Sequence, residues 1–216
     1  MIVICGDFHA EFSRLNKFIN SMSSITTILQ CGDFGFWPKF FNFNNPKLIK
    51  NKNVKIYWCD GNHEDFDSIK QIENIEIFPN IFYMERGSIL RLKDGRKVLF
   101  IGGALSIDKH LRTPGRDWFP EELISQKDIC VLPDEKIDIV ISHTAPKEFI
   151  LNDYHEDYVK DPTRDALSYV LNKYHPKLWY FGHMHTYKQS IYNGCKWTCL
   201  SDIGGSERWW IPLDEE

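Results

Sequence analysis

The feature that most constrains this chain is a repeated punctuation. Short apolar runs of strand-like composition end, one after another, in small and polar clusters: "MIVIC" in "GDFH", "ITTILQC" in "GDFG", "VKIYWC" in "DGNHED", "KVLFI" in "GGALSID", "IDIVI" in "SHTAP" and "KLWYF" in "GHMHT". Runs this short, rich in β-branched and aromatic residues and bounded by glycine, read as strands. Helical segments lie between several of them. In "EFSRLNKFINSM" Phe12, Leu15, Phe18, Ile19 and Met22 share one stripe, and "DPTRDALSYVLNKYHP" opens with Asp161 as a cap and Pro162 in the first turn. Leu167, Val170, Leu171 and Tyr174 form the core face of that second helix. Strands alternating with helices imply parallel strands with crossovers on the sheet faces. Asp94-Gly95 and Asn193-Gly194 break the rhythm with tight turns, so two hairpins add antiparallel strands. The expectation is a single α/β domain over residues 1–216, with mixed sheets and without repeats or low-complexity linkers.

Composition narrows the function classes. A net charge of -4 argues against a broad basic surface that coats long duplex nucleic acid, while leaving room for a local basic pocket. With 216 residues the chain can bury a core without disulfides. Its six cysteines are expected as reduced thiols, since several end apolar runs and Cys195 and Cys199 have no second thiolate pair with which to complete a zinc site. The first apolar run stops at Gly6, too early for a secretory signal, and no stretch is long enough to span a bilayer. A cytoplasmic protein with no membrane partner is therefore expected.

The polar clusters carry the chemistry. In open α/β sheets ligand sites gather at the carboxyl ends of strands. Asp7 and His9 are two residues apart, so an extended backbone sends both to one face and Phe8 to the other; the same spacing groups His183 with His185 and turns Met184 away. Asp33, Asn62, His63 and His143 come from three further strand ends, with Gly6, Gly32, Gly61 and Gly182 allowing close approach. Carboxylate, imidazole and amide oxygen without thiolate suit Mn²⁺, Fe²⁺ or Zn²⁺. Seven candidate ligands exceed what one open catalytic ion needs. Two ions about 3.5 to 4 Å apart, sharing a carboxylate, would suit in-line displacement at phosphorus.

In order, "GDFHA", "CGDFG", "GNHED", "SHTAP" and "GHMHT" resemble the DxH, GD, GNH-plus-acid, single-His and GHxH signatures of the calcineurin-like metallophosphoesterase superfamily, over residues 6 to 186. The resemblance implies a four-layer αββα sandwich of two mixed β-sheets flanked by helices. It implies a binuclear phosphoesterase in which Asp7, His9 and His185 hold one divalent ion, Asn62, His143 and His183 hold the other, and Asp33 bridges them. Mn²⁺ is foremost, with Fe, Zn and Ni admissible, and a metal-bridging hydroxide would attack phosphorus. His63 would protonate the departing oxygen, a task suited to a near-neutral imidazole, while Asn62 could also hydrogen-bond the phosphate. Asp65 and Asp67 read as a solvated helix start. His155 and His175 read as surface or helix-end residues.

Substrate choice rests on thinner signals. The protein serine/threonine phosphatases and dinucleoside tetraphosphatases of this superfamily follow GD with Asp or Gly and then Arg-Gly, the arginine gripping phosphate; here the stretch is "GDFGFWPKFFNF". Phe34, Phe36, Trp37, Phe40, Phe41 and Phe43 can stack on nucleobases or serve in a core or an oligomer contact, the commoner use. The loop "GGALSIDKHLRTPGRDWFPEE" brings His110, Lys109, Arg112 and Arg116 toward the same edge, either to receive an anion or as a solvated charge run. Arg112, Arg116, Trp118 and Phe34 are the candidate substrate contacts. A phosphodiesterase acting on a nucleotide or single-stranded nucleic acid is expected first and a phosphomonoesterase second. A non-catalytic scaffold comes last, because every ligand position and His63 are kept. The oligomeric state is left open.

Overall fold

Alternation along the strands decides the architecture. In the computed structural model, which describes residues 1–40, 50, 53–151 and 160–213, the central strands carry apolar side chains on both faces and so must be covered twice. In β1 (Ile2–Cys5), Val3 and Cys5 enter one core and Ile4 another. In β2 (Thr27–Gln30) and β3 (Lys55–Trp58), Ile28, Ile56 and Trp58 join Val3, whereas Leu29 joins Ile4. The strands β7 (Lys97–Ile101), β8 (Ile139–Ser142) and β9 (Leu178–Phe181) divide likewise. Val98, Phe100, Ile139, Ile141, Leu178 and Tyr180 meet Ile4 and Leu29 in the shared core, and Leu99, Ile101, Val140, Trp179 and Phe181 face outward.

Helices close the two outer cores. α1 (Phe12–Ser21) buries Phe12, Leu15, Phe18 and Ile19 against the first sheet, the stripe its spacing predicts. A short α2 (Phe66–Ile69) follows β3. α3 (Gln126–Cys130) and α4 (Pro162–Tyr174) lie on the second sheet, α4 burying Leu167, Val170 and Leu171. Asp161 caps α4 by accepting from the Thr163 N–H at 2.8 Å, an interaction worth about 1 kcal/mol. His175 ends the same helix, exposed and with φ at 44°. Helix, sheet, sheet, helix is the four-layer αββα order.

The remaining strands are β4 (Glu76–Phe78), β5 (Ile81–Tyr83), β6 (Ile89–Arg91), β10 (Lys188–Tyr192), β11 (Cys195–Cys199) and β12 (Trp210–Pro212). Among the described residues the sheets have six strands each, ordered β12-β1-β2-β3-β5-β4 and β10-β11-β9-β8-β7-β6. In both, four central parallel strands are flanked by one antiparallel strand at each edge. The hairpin turns are where the glycines place them, Gly95 at φ 91° and Asn193-Gly194 at 46° and 82°. β4, β5 and β12 are three residues each, too short to show a period, and the sequence pattern does not single them out.

Burial overturns one expected substrate contact. Phe34 is fully buried and stacks on Trp58 at 4.8 Å between ring centroids, so it belongs to the first core and does not reach solvent. Phe36 is buried beside it, while Phe41, Phe43 and His155 lie outside the described residues. Truncating Phe34 to alanine would cost about 3–5 kcal/mol. Among the described residues no helix is long and apolar enough to cross a membrane.

Candidate metal centre

The loops leaving β1, β2, β3, β8 and β9 converge where the carboxyl ends of the two sheets meet. They do not do so by extended backbone. His9, Asp33, His183 and His185 have φ of 45°, 53°, 65° and 47°. A non-glycine residue is held in that left-handed region at a cost of about 1–3 kcal/mol, and only where its surroundings enforce it. The alternation argument from spacing is thereby corrected: His9 reaches Asp7 through a tight turn. His183 and His185 separate, His185 to Asp7 and His183 against the His143 ring at 4.9 Å. Backbone N–H groups hold the carboxylates from behind. The His63 N–H donates to Asp33 Oδ1 at 2.8 Å, and the His183 N–H to both Asp7 oxygens at 3.1 Å. These approaches need glycine before them, since a Cβ on Gly61 or Gly182 would overlap those same carboxylates.

Two groups of donor atoms result. In the first, His185 Nε2 is 3.1 Å from Asp7 Oδ2 and 3.0 Å from His9 Nε2, and His9 Nε2 is 3.7 Å from Asp7 Oδ2. In the second, His143 Nε2 is 3.0 Å from Asn62 Oδ1 and 3.4 Å from Asp33 Oδ2. Asp33 Oδ2 also lies 3.6 Å from His9 Nε2, so this carboxylate stands between the groups. Ligand atoms at about 2.1 Å from one cation would be spaced about 3.0 to 3.4 Å apart, which the observed separations approach. Tautomer chemistry agrees. His143 Nδ1 faces the Cys31 carbonyl at 2.8 Å and must donate to it, so a neutral ring turns a lone pair at Nε2 toward two oxygen acceptors. Donors arranged this way, with lone pairs converging, fit a divalent cation.

The electrostatics record the same concentration of negative charge. Burial opposes a charge on His143, yet Asp33 and Asp7 outweigh it and push its pKa up to about 10. Burial raises Asp33, but the His143 charge and hydrogen bond hold its carboxyl well below the usual range. A proton on His143 thus occupies the place a cation would take. The hydrogen bond to Asp7 raises His185. Burial, aided by the His143 charge, pushes His183 well down.

Around these groups lie residues of mixed predictability. His63 packs edge-on to His9 at 5.2 Å, and its Nε2 receives the Arg112 guanidinium at 2.8 Å. Arg112 also donates to the Asn62 carbonyl at 3.1 Å and pairs with Asp108 at 2.7 Å, which fixes it beside His63. Because a guanidinium only donates, the His63 ring proton sits on Nδ1. Burial lowers the His63 pKa, Asp33 resists this and Arg112 adds to it. The Trp37 indole N–H donates to the His63 carbonyl at 2.9 Å. Trp37, Phe40, His9, His63, Arg116 and Asp117 line a cleft of about 540 Å³, whereas Lys109 and His110 are exposed on the outer turn. Trp118 is half-buried and donates to Glu122 Oε1 at 3.0 Å. Asp65 is not solvated: it is buried, caps α2 through the Ser68 N–H and pairs with Lys39 at 3.1 Å, while Asp67 remains half-exposed.

Sequence reasoning passed over Asp202, Ser106 and Glu122 and gave Glu64 no role beyond the acid of the GNH signature. Glu64 is buried and accepts from the Gly35 and Phe36 N–H groups, shaping the loop after Asp33. Asp202 stands 3.8 Å from His185 Nδ1, and its setting in "CLSDIGG" repeats the punctuation of the other strand ends. Ser106 lies in the "GGALSID" cluster and donates to Glu122, which is fully buried. Nothing local marks Glu122 as different from the half-exposed Glu121 beside it.

Comparison with known proteins places the chain. Residues 1–187 match the calcineurin-like phosphoesterase family. Among solved structures, GAP50, the anchor in the inner membrane complex of Plasmodium, is similar with a TM-score of 0.55 and 11% identity, over 100% of this chain and 75% of that one. Vps29 of Entamoeba histolytica, complexed with Zn²⁺, has a TM-score of 0.39 and 11% identity, over 93% of this chain and 73% of that one. No curated protein matches the chain. Identities this low speak to fold alone, but the family match spans all five motifs, and the chain belongs to the calcineurin-like phosphoesterase family.

Proposed function

We propose that this chain hydrolyses phosphodiesters of nucleotide or single-stranded nucleic-acid type at a two-cation centre. Asp7, His9 and His185 would hold one ion, Asn62, His143 and His183 the other, with Asp33 shared. The observation that carries the reading is the position of Asp33 Oδ2, 3.6 Å from His9 Nε2 and 3.4 Å from His143 Nε2. Mn²⁺ is the ion expected, and Fe, Zn or Ni suits the same nitrogen and oxygen donors. When bound, such a pair supplies Lewis-acid stabilisation at phosphorus and a water acidic enough to serve as nucleophile near neutral pH.

The protein's own residues handle substrate and proton. Arg112 rests on His63 Nε2, and an incoming phosphate, a stronger acceptor than imidazole, draws the guanidinium away. His63 Nε2 is then free to take up a proton, which the substrate's negative charge favours, and to deliver it to the departing oxygen. Trp37 keeps the His63 backbone in place meanwhile. The cleft beside His63, at about 540 Å³, falls in the range of small-molecule pockets, and its Trp37 and Phe40 rings suit a flat organic group. Stacking of that kind is worth about 1–3 kcal/mol per base. A group on the far side of phosphorus is what separates a diester from a monoester.

The test is a comparison of kcat/KM for bis-p-nitrophenyl phosphate and p-nitrophenyl phosphate in Mn²⁺. A preference for the diester of about tenfold or more, or about 1.4 kcal/mol, is expected. The opposite preference would make the chain a phosphomonoesterase. Binding of two Mn²⁺ without turnover of any phosphate ester would make it a scaffold.

A further inference from the structure

Behind the Asn62 side chain lies a buried chain of hydrogen bonds. Asn62 Nδ2 donates to Ser106 Oγ at 3.0 Å, and Ser106 Oγ donates to Glu122 Oε2 at 2.8 Å. Glu122 Oε1 accepts from the Ser106 N–H at 2.9 Å and from the Trp118 indole at 3.0 Å. Glu122 is 0% exposed, Ser106 1% and Asn62 5%. Such burial is costly for polar groups unless each bond is made, so the network has little freedom to rearrange.

The direction of each bond follows from proton counting. An ionised carboxylate only accepts, so Glu122 compels the single hydroxyl proton of Ser106 to point at it. Burial raises the Glu122 carboxyl, and the hydrogen bonds from Ser106 and Trp118 and the Arg112 charge oppose that rise. With its proton committed, Ser106 has only lone pairs to offer Asn62, which must answer with its NH₂. The amide oxygen is thereby left facing His143 Nε2, 3.0 Å away, where the cation donors converge. A flipped amide would set two acceptors against each other at Ser106 and aim NH₂ hydrogens at the cation position.

We infer that Ser106 and Glu122 are positioning residues that lock the Asn62 amide with its oxygen toward the cation. This rests on the two-cation reading above, and Mn²⁺ binding to the metal-free full chain, measured by calorimetry with MnCl₂ alone, tests the two separately. The wild type is expected to bind two Mn²⁺. Ser106→Ala should weaken one of them by about 10- to 100-fold, the usual effect of losing a residue that orients a ligand, and leave the other unchanged. Glu122→Gln should do the same, because an NH₂ at that position can donate to Ser106 and release its hydroxyl to turn toward Asn62.

The discriminating measurement is the cycle with Asn62→Asp. A carboxylate has two equivalent oxygens and no orientation to lock, so adding Ser106→Ala to Asn62→Asp should cost less than about twofold in affinity. An equal loss in both backgrounds, or unchanged affinity in Ser106→Ala and Glu122→Gln, overturns the inference while leaving the two-cation centre intact. A wild type that binds fewer than two Mn²⁺ removes both. If Ser106→Ala does not fold, Glu122→Gln alone and combined with Asn62→Asp decides between these outcomes.

Discussion

The two donor groups that meet at Asp33 both combine imidazoles with oxygen donors, a carboxylate in one and an amide in the other, and they differ in their access to water. The side chain of His185 is 48% exposed and that of His9 28%, whereas His143 is fully buried and Asn62 nearly so. The open group is held by the His183 N–H on Asp7, by the His63 ring against His9, and by Asp202 at 3.8 Å from His185 Nδ1. The buried group is braced from behind, by the Cys31 carbonyl at His143 and by Ser106 and Glu122 at Asn62. The protein thus prescribes orientation where solvent cannot correct it.

The sharpest way to break the comparison is to remove what the groups share. Asp33→Asn should lose Mn²⁺ from both groups and lower kcat/KM by about a thousandfold or more, a loss of about 4 kcal/mol. Calorimetry that still found one ion at full affinity would show that Asp33 serves only one side. The next largest effect isolates proton transfer from metal binding. His63→Ala should keep both ions yet lose about 10²- to 10⁴-fold in kcat for diesters with alkyl leaving groups, and little with p-nitrophenolate, which departs without a proton. Equal losses for both leaving groups would move His63 from acid to positioning residue.

A third measurement sharpens the contrast between open and buried. Dilute EDTA should strip one Mn²⁺ before the other, and His185→Ala should weaken only that first ion, by more than about tenfold. Simultaneous release of both ions in the wild type would erase the difference. The smallest effect concerns the metal-free protein. His143, raised to about 10, contributes stability that is full below its ordinary 6.5 and lost as pH rises through about 10. Asp33, lowered, contributes stability present above its ordinary 3.8 and lost as pH falls through its folded value. The contribution of this pair to the metal-free Tm should therefore be flat between about 4 and 6.5 and decline on both sides. In Asp33→Asn both slopes should shrink, and an unchanged profile would mean that this pair does not dominate the titration.

Much of this centre was legible because strands and their ends are local facts. A run such as "KLWYF" shows its two buried faces and its terminus within a few residues, and "GHMHT" supplies the imidazoles directly after it. Hairpin turns were equally local, since Gly95 and Gly194 occupy backbone conformations that other residues resist. Illegible were features that depend on which way a side chain turns across a loop. Phe34 and Trp37 stand three residues apart in one aromatic stretch, yet Phe34 fills the core and Trp37 lines the cleft. Arg112 and Arg116 belong to one charge run, and only Arg112 meets His63. Strands β4, β5 and β12 owe their pairing to the sheet they join rather than to any period of their own.

By itself the sequence determined the α/β class, the strand ends where chemistry collects and the donor types gathered there, because periodicity and glycine placement act over a few bonds. Tertiary structure alone decided that His185 joins Asp7 while His183 joins His143, and that Glu122, sixty residues along the chain from Asn62, is linked to its amide through Ser106. Left-handed turns and buried hydrogen bonds between distant segments set those choices. They are enforced by the packing of two sheets against each other, which no short window of residues contains.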